Sequence, residues 1–234
     1  MPQKIHCKVV DVIDHGEHVY SVSLKPDSPA PRFFAGQFLH LALDSYQPGD
    51  FWPESRPFSI ASSPADRSSL TITYAVKGQF TTRMEAELRP GCDVWIKLPY
   101  GEFTIRTDRD SCLLAGGTGV SAFTAFLGGL TSDYQRSVYL FYGARKPELL
   151  IYRPIIEAAA KRCTNLKTYF LIEEGEVRDS VKGRINLDIV RQSIPSPLSI
   201  TYYLSGPPVM LKTLSEALQN CGVPPAQIAM DAWE

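Results

Sequence analysis

The chain has 234 residues, 44% hydrophobic and 21% charged, with 24 Lys and Arg against 25 Asp and Glu. At about 150 residues per domain this is one large domain or two small ones, with enough apolar material for a core. A net charge of −1 argues against a dedicated nucleic-acid binder, and no run approaches the roughly 18 apolar residues of a spanning helix, so neither nucleic-acid binding nor membrane insertion is expected.

Residues 4–106 alternate apolar and polar side chains over short stretches. The clearest are Lys8-Val9-Val10-Asp11-Val12, Val19 to Leu24, Phe38 to Leu43, Leu70 to Tyr74 and Asp93 to Leu98. Turn residues separate them closely, as in a small antiparallel barrel or sandwich. One helical stretch interrupts them, Thr81 to Leu88, with Met84 and Leu88 at i, i+4 before Pro90-Gly91 ends it. Asp44 to Ser55 holds Pro48-Gly49 and is expected to be a flexible flap.

From residue 111 the period changes. Ser111 to Ala115 is a continuous apolar strand, followed by a Gly-rich turn and a helix from about Val120 to Leu130. Strand Ser137–Tyr142, helix Pro147–Arg162, strand Leu166–Ile172, strand Ile200–Leu204 and helix Pro207–Leu218 follow. Fully apolar strands alternating with helices predict a parallel sheet covered on both faces. A domain boundary is expected near Arg106–Asp110, dividing the chain into residues 1–108 and 109–234.

The five cysteines are scattered, which argues against a zinc site, an iron–sulfur cluster or a disulfide framework and fits a reducing compartment. The start of the chain has no apolar h-region, so a cytoplasmic protein is expected. All four histidines lie between His6 and His40, leaving none in the second half for a Ser-His-Asp or Cys-His site.

The strongest chemical signal is Gly116-Gly117-Thr118-Gly119-Val120-Ser121-Ala122, between an apolar strand and a helix. Gly117-x-Gly119-x-x-Ala122 has the spacing that lets backbone approach a pyrophosphate at a helix N-terminus. The same pattern also serves plain close packing. The acid that the dinucleotide fingerprint expects about 20 residues on is replaced by Arg145, in Tyr142-Gly143-Ala144-Arg145. In the first half, Arg56-Pro57-Phe58-Ser59 offers a cation for a phosphate, a ring for stacking and a hydroxyl for a ring nitrogen. Gly78-Gln79-Phe80-Thr81-Thr82 opens the barrel's helix as a second anion site or as an ordinary Thr cap.

Together with Pro99-x-Gly101-x-Phe103, Ala35-Gly36-Gln37-Phe38 and Ser205-Gly206-Pro207-Pro208-x-Met210, these segments occur in the order and spacing of one family. The chain resembles the ferredoxin–NADP reductase superfamily, and more narrowly its bacterial NAD(P)H–flavin reductases and oxygenase reductase modules. The resemblance implies a six-stranded antiparallel Greek-key β-barrel that binds flavin, then a parallel-sheet α/β domain that binds NAD(P).

It further implies that Arg56 pairs with a flavin phosphate, Phe58 packs on the flavin, and Ser59 hydrogen-bonds near flavin N5. Pro57, Tyr74 and Val76 would complete the flavin site, while Lys77, Gly78 and Thr81 would hold the FAD pyrophosphate. Gly117, Thr118 and Gly119 would hold the nucleotide pyrophosphate, with Arg145 nearby. Ser205, Gly206 and Pro207 would line the nicotinamide site, and Trp233 would stand beside the flavin. Ser59, Ser205 and Trp233 are thus the implied catalytic residues. FAD is the implied cofactor ahead of FMN, with NADH or NADPH as the hydride donor.

The implied partner is a ferredoxin, a flavodoxin or an oxygenase component, with free flavin as the alternative acceptor and a non-catalytic flavin-binding subunit as a further one. Three departures matter, one being Ser121-Ala122 after the Gly-rich turn, where many relatives have Ala-Pro and the flavin reductases share the present choice. Ser205 stands where many relatives have Cys, and no clustered cysteines are present, so any iron–sulfur centre is expected on another protein.

Overall fold

A computed structural model describes residues 2–231. The chain divides into two compact units between Thr104 and Ile105.

The first unit is an antiparallel sheet of six strands: β1 (Gln3–Asp14), β2 (Val19–Pro26), β3 (Phe38–Ala42), β4 (Ser55–Ser59), β5 (Leu70–Ala75) and β6 (Asp93–Tyr100), in the order β4-β3-β6-β1-β2-β5. Alternation explains the core: Ile5, Cys7 and Val9 of β1 turn inward while their neighbours face out. A bulge between Val9 and Asp11 breaks that rhythm, so that Val10 and Asp11 are both exposed and Val12 turns partly back toward the core. The outer strands close on each other where Ala61 N–H donates to Thr71 C=O (2.8 Å) and Thr71 N–H to Ser62 Oγ (3.1 Å). The result is a nearly closed Greek-key barrel.

Helix α1 (Gln79–Glu87) buries Phe80 and Met84, four residues apart, in this core. It begins two residues before the Thr81 expected from sequence. The expected flap is pinned: Tyr46 is buried, its ring 5.4 Å from Trp52 and 5.3 Å from Trp95, and its hydroxyl accepts from Lys4 Nζ at 2.6 Å.

The second unit carries β7 (Ser111–Gly116), α2 (Ser121–Gly129), β8 (Val138–Ala144), α3 (Arg153–Arg162), β9 (Leu166–Ile172), β10 (Ser180–Lys182), α4 (Leu187–Ser193), β11 (Thr201–Ser205), α5 (Pro208–Asn220) and β12 (Ile228–Asp231). All strand pairs are parallel, in the order β10-β9-β8-β7-β11-β12. Every residue of β7 and β11 is buried, which is why these strands read as continuous apolar runs. The expected helix 147–162 is broken, because Pro154 sits in the first turn of α3 and a separate 3-10 turn occupies Pro147–Leu149. The polar link is tied into this unit: Arg106 N–H donates to Tyr203 Oη (2.9 Å), and Asp110 accepts Thr201 N–H (3.1 Å) and Ser137 N–H (2.9 Å). Among the described residues no helix is long and apolar enough to cross a membrane.

Candidate functional sites

In the first unit the candidate flavin residues gather around the start of α1. Arg56 is exposed on β4, its guanidinium carbon 5.1 Å from the centre of the Phe80 ring in the first turn of α1. It also donates to Ser55 C=O (2.9 Å) and pairs with Glu54 at 2.7 Å. The first N–H groups of a helix lack intrahelical acceptors, so a cation and a ring of donors share this corner.

Thr81 plays a local part: its Oγ1 accepts the N–H of Lys77 (2.9 Å) and Gly78 (3.1 Å) and donates to Gly78 C=O (3.0 Å). Two of the amides expected to hold a pyrophosphate are therefore taken by the cap. Those of Gln79, Phe80 and Thr81 itself remain at the helix mouth. An open depression of about 600 Å³ adjoins it, lined by Val76, Lys77, Gly78 and residues of α1.

Phe58 and Ser59 are both buried on β4, opposite Leu39 and Phe38, while Pro57 is half-buried opposite His40. Phe58 meets Tyr74 edge-on at 6.2 Å, and Tyr74 stacks on Tyr20 at 5.4 Å. The Tyr74 hydroxyl is buried and has no hydrogen-bond partner among the described residues. Burial, followed by the neighbouring Tyr20, pushes its pKa far up, so it stays a neutral donor. A cation over the Phe80 ring in the first turn of α1, an adjoining hollow and an orphaned buried phenol fit a flavin nucleotide.

Beside them lies a group that sequence reasoning missed. Glu85 of α1 accepts from His18 Nδ1 (2.7 Å) and Tyr20 Oη (2.8 Å). These bonds, His18 first, lower the Glu85 pKa, and Glu85 in turn raises that of His18. Glu54 was missed as well. The Glu85 group depends on a pairing between elements that a linear pattern does not carry, whereas Glu54 lies only two residues before Arg56.

In the second unit the candidates lie where the sheet order reverses, at the carboxyl ends of β7 and β11, the usual ligand position of such sheets. Here the glycines divide the labour. A Cβ on Gly119 would lie 2.5 Å from the Ser205 carbonyl, so Gly119 lets the two turns pack backbone against backbone. Gly117 has φ +54° with open space around its Cβ position, a left-handed turn that presents backbone outward. Thr118 is half-buried between them.

Gly206 faces Gly116 at the same seam, and Pro207 precedes the first turn of α5. Ser205 is buried and donates to Asp231 Oδ2 at 2.8 Å, a partner supplied by β12, which sequence reasoning missed. Arg145 is exposed just past β8. Trp233 lies outside the described residues.

An antiparallel barrel with a helix start suited to an anion, followed by a parallel sheet with a glycine turn at its switch point, is an arrangement suited to binding nucleotides. Residues 113–216 match the family described as oxidoreductase NAD-binding domain. The chain is 28% identical over 212 residues to an NAD(P)H-flavin reductase of Aliivibrio fischeri, covering 86% of each chain. It is 26% identical over 238 residues to the ferredoxin–NAD(P)+ reductase component of naphthalene dioxygenase and salicylate hydroxylase systems of a Ralstonia species, covering 99% of this chain and 70% of that one. A solved cytochrome P450 reductase of Amycolatopsis superposes with a TM-score of 0.85 at 22% identity, over 98% of this chain and 69% of that one, and shares the fold. In sequence the chain is thus similar to NAD(P)H-flavin reductases and oxygenase reductase components, and in fold to a ferredoxin NADP+ reductase of Neisseria gonorrhoeae (TM-score 0.79 at 18% identity, over 97% of this chain and 98% of that one).

Proposed function

We propose that the chain is an NAD(P)H-dependent flavoprotein oxidoreductase that binds FAD and hands electrons to a separate carrier, a ferredoxin, flavodoxin or oxygenase component. The observation that carries this reading is the Arg56 guanidinium over Phe80 at the mouth of α1, beside an open hollow. When bound, the flavin supplies a two-electron acceptor for hydride and a one-electron donor for the carrier.

The protein's own part is binding, orientation and exclusion of water. Arg56 and the first-turn amides of α1 hold the flavin phosphates, and Lys77, Gly78 and Thr81 set the shape of that turn. Tyr74 donates from the buried side, with Pro57, Phe58 and Val76 forming apolar walls. Ser59 hydrogen-bonds near flavin N5. Gly117, Thr118 and Gly119 hold the nucleotide pyrophosphate, and Ser205, Gly206 and Pro207 line the nicotinamide site. Trp233 is assigned beside the flavin from the family resemblance alone.

A cytoplasmic location belongs to the same proposal, supported by cysteines that are all free. The likeness to the Aliivibrio NAD(P)H-flavin reductase favours a second reading, reduction of free flavin.

An anaerobic visible spectrum separates the two. A purified protein that shows flavin bands, bleached by NADH or NADPH, is a bound-flavin reductase. A colourless protein that oxidises NADH only with added FMN or FAD is a free-flavin reductase, and one inactive with both overturns the enzymatic reading. Ser59→Ala is expected to slow bleaching with little loss of bound flavin, and an unchanged rate removes Ser59 from the mechanism.

A further inference from the structure

The second unit carries a hollow of about 470 Å³ at the end of β11 opposite Ser205. It is bounded by α4, by the loop that leads into β11 and by the end of α5. Tyr202, Leu218 and Val223 are buried at its floor, and Leu198 is 55% exposed at its rim. Its volume suits a small molecule, and small-molecule sites combine apolar walls with a few placed polar groups. Tyr202 Oη donates to Pro197 C=O at 2.9 Å and Ser199 Oγ to Ser196 C=O at 3.0 Å, which fixes the course of the loop around the hollow.

The charge of the lining has one sign. Arg191 is its only charged residue, and no Asp or Glu stands beside it there. Arg191 Nη1 donates to Cys221 Sγ at 3.7 Å, a weak acceptor, and Arg191 forms no ion pair among the described residues. Other cations of this molecule carry a carboxylate: Arg83, Arg106 and Arg184 pair at 2.9, 2.8 and 2.6 Å. An apolar hollow edged by an unpaired guanidinium is complementary to a compact apolar body that ends in a carboxylate, which the planar fork can grip with two hydrogen bonds.

We propose that this hollow is a binding site for a small organic acid with an apolar body. Arg191 takes the carboxylate, and Leu187, Leu198 and Tyr202 enclose the body. The site lies at the opposite end of β11 from the seam of Ser205 and the glycine turn, so it is separate from the nucleotide candidates.

The test is protection of Cys221 from alkylation in the full chain. Of the five free cysteines Cys221 is the exposed one, and it lines the hollow, so its rate of reaction with iodoacetamide, read by peptide mass spectrometry, reports occupancy. The probe is phenylpropionate. For a ligand of this size a dissociation constant of ~1 mM is expected, so about 10 mM should slow the reaction about tenfold. Protection is the ratio of rates with and without probe within each variant, which removes any direct effect of the guanidinium on the thiol. In Arg191→Gln it should fall to about twofold, since a charge-assisted contact is worth about tenfold in affinity. Neutral phenylpropionamide should protect wild type no better than that.

No protection of wild type overturns the proposal. Equal protection by the amide, or unchanged protection in Arg191→Gln, also overturns it, because the hollow would then offer apolar contact alone. NAD+ should give no protection. Protection by NAD+ would assign the hollow to nucleotide binding and overturn a separate site.

Discussion

Two helix starts in this molecule use the same physical device in different ways. At Gly117–Gly119 the turn is made of backbone: Gly119 gives up its side chain so that another turn can lie against it, and Gly117 takes a left-handed φ to face outward. At Gly78–Thr81 the turn is made by a side chain, whose hydroxyl ties down two amides while a cation arrives from a neighbouring strand. The first arrangement is close-packed at Gly119, where nothing larger fits. The second is assembled from exposed, replaceable parts. A substitution at Gly119 should therefore act on stability first, and one at Arg56 on ligand affinity first.

The sharpest way to break this contrast is Gly119→Ala. The new methyl would sit 2.5 Å from the Ser205 carbonyl, against backbone that has no room to yield. A loss of about 3 kcal/mol is expected, read as a lower denaturant midpoint. Gly117→Ala, with open space and only the left-handed φ against it, should cost about 1 kcal/mol and act mainly on nucleotide affinity. Equal losses of stability at the two positions would show that their roles are not divided.

The barrel site offers a paired test of opposite sign. Arg56→Ala should weaken flavin binding by about 2 kcal/mol, since a charge-assisted contact is removed. Glu54→Gln should tighten it by a few tenths, because the 2.7 Å ion pair that competes for the guanidinium is lost. Flavin titration of the two apoproteins measures both, and full flavin retention in Arg56→Ala removes the phosphate role. Smaller again, Thr81→Val should cost about 1 kcal/mol of stability, the worth of an N-terminal cap. Its effect on flavin affinity should be less than that of Arg56→Ala, because Thr81 shapes the turn whereas Arg56 is assigned the ligand's charge.

The same contrast explains what was legible in the sequence. The apolar runs of β7, β8 and β11 and the alternation in the barrel strands are statements about burial, and burial is what hydrophobic patterns encode. β10 has three residues, α4 seven and β12 four, all too short for a period to emerge. The motif residues were visible because Gly, Arg and Ser at set spacings carry backbone and charge constraints. Their partners were not: Asp231 meets Ser205 only through parallel register. Glu85 likewise gains meaning from the imidazole that folds against it. A pattern read along the chain finds the residue that starts an interaction and misses the one that completes it.

The smallest expected effect concerns the His18–Glu85–Tyr20 group that fastens α1 to the β1–β2 turn. His18 has its pKa raised above 6.5 by Glu85, so its contribution is fully present below 6.5 and is lost as pH rises through the raised value. Glu85 has its pKa lowered below 4.5 by His18 and then Tyr20, so its contribution is present above 4.5 and is lost as pH falls through the lowered value. Both hold between pH 4.5 and 6.5, which makes that the window in which α1 is best secured. The imidazole is 73% exposed, so water screens the pair and the change should be slight. Melting temperatures at pH 5.5 and pH 8.5 should fall by less in Glu85→Gln than in wild type. Identical pH profiles would assign the fastening of α1 to Phe80 and Met84 in the core, and would leave the whole barrel site dependent on packing.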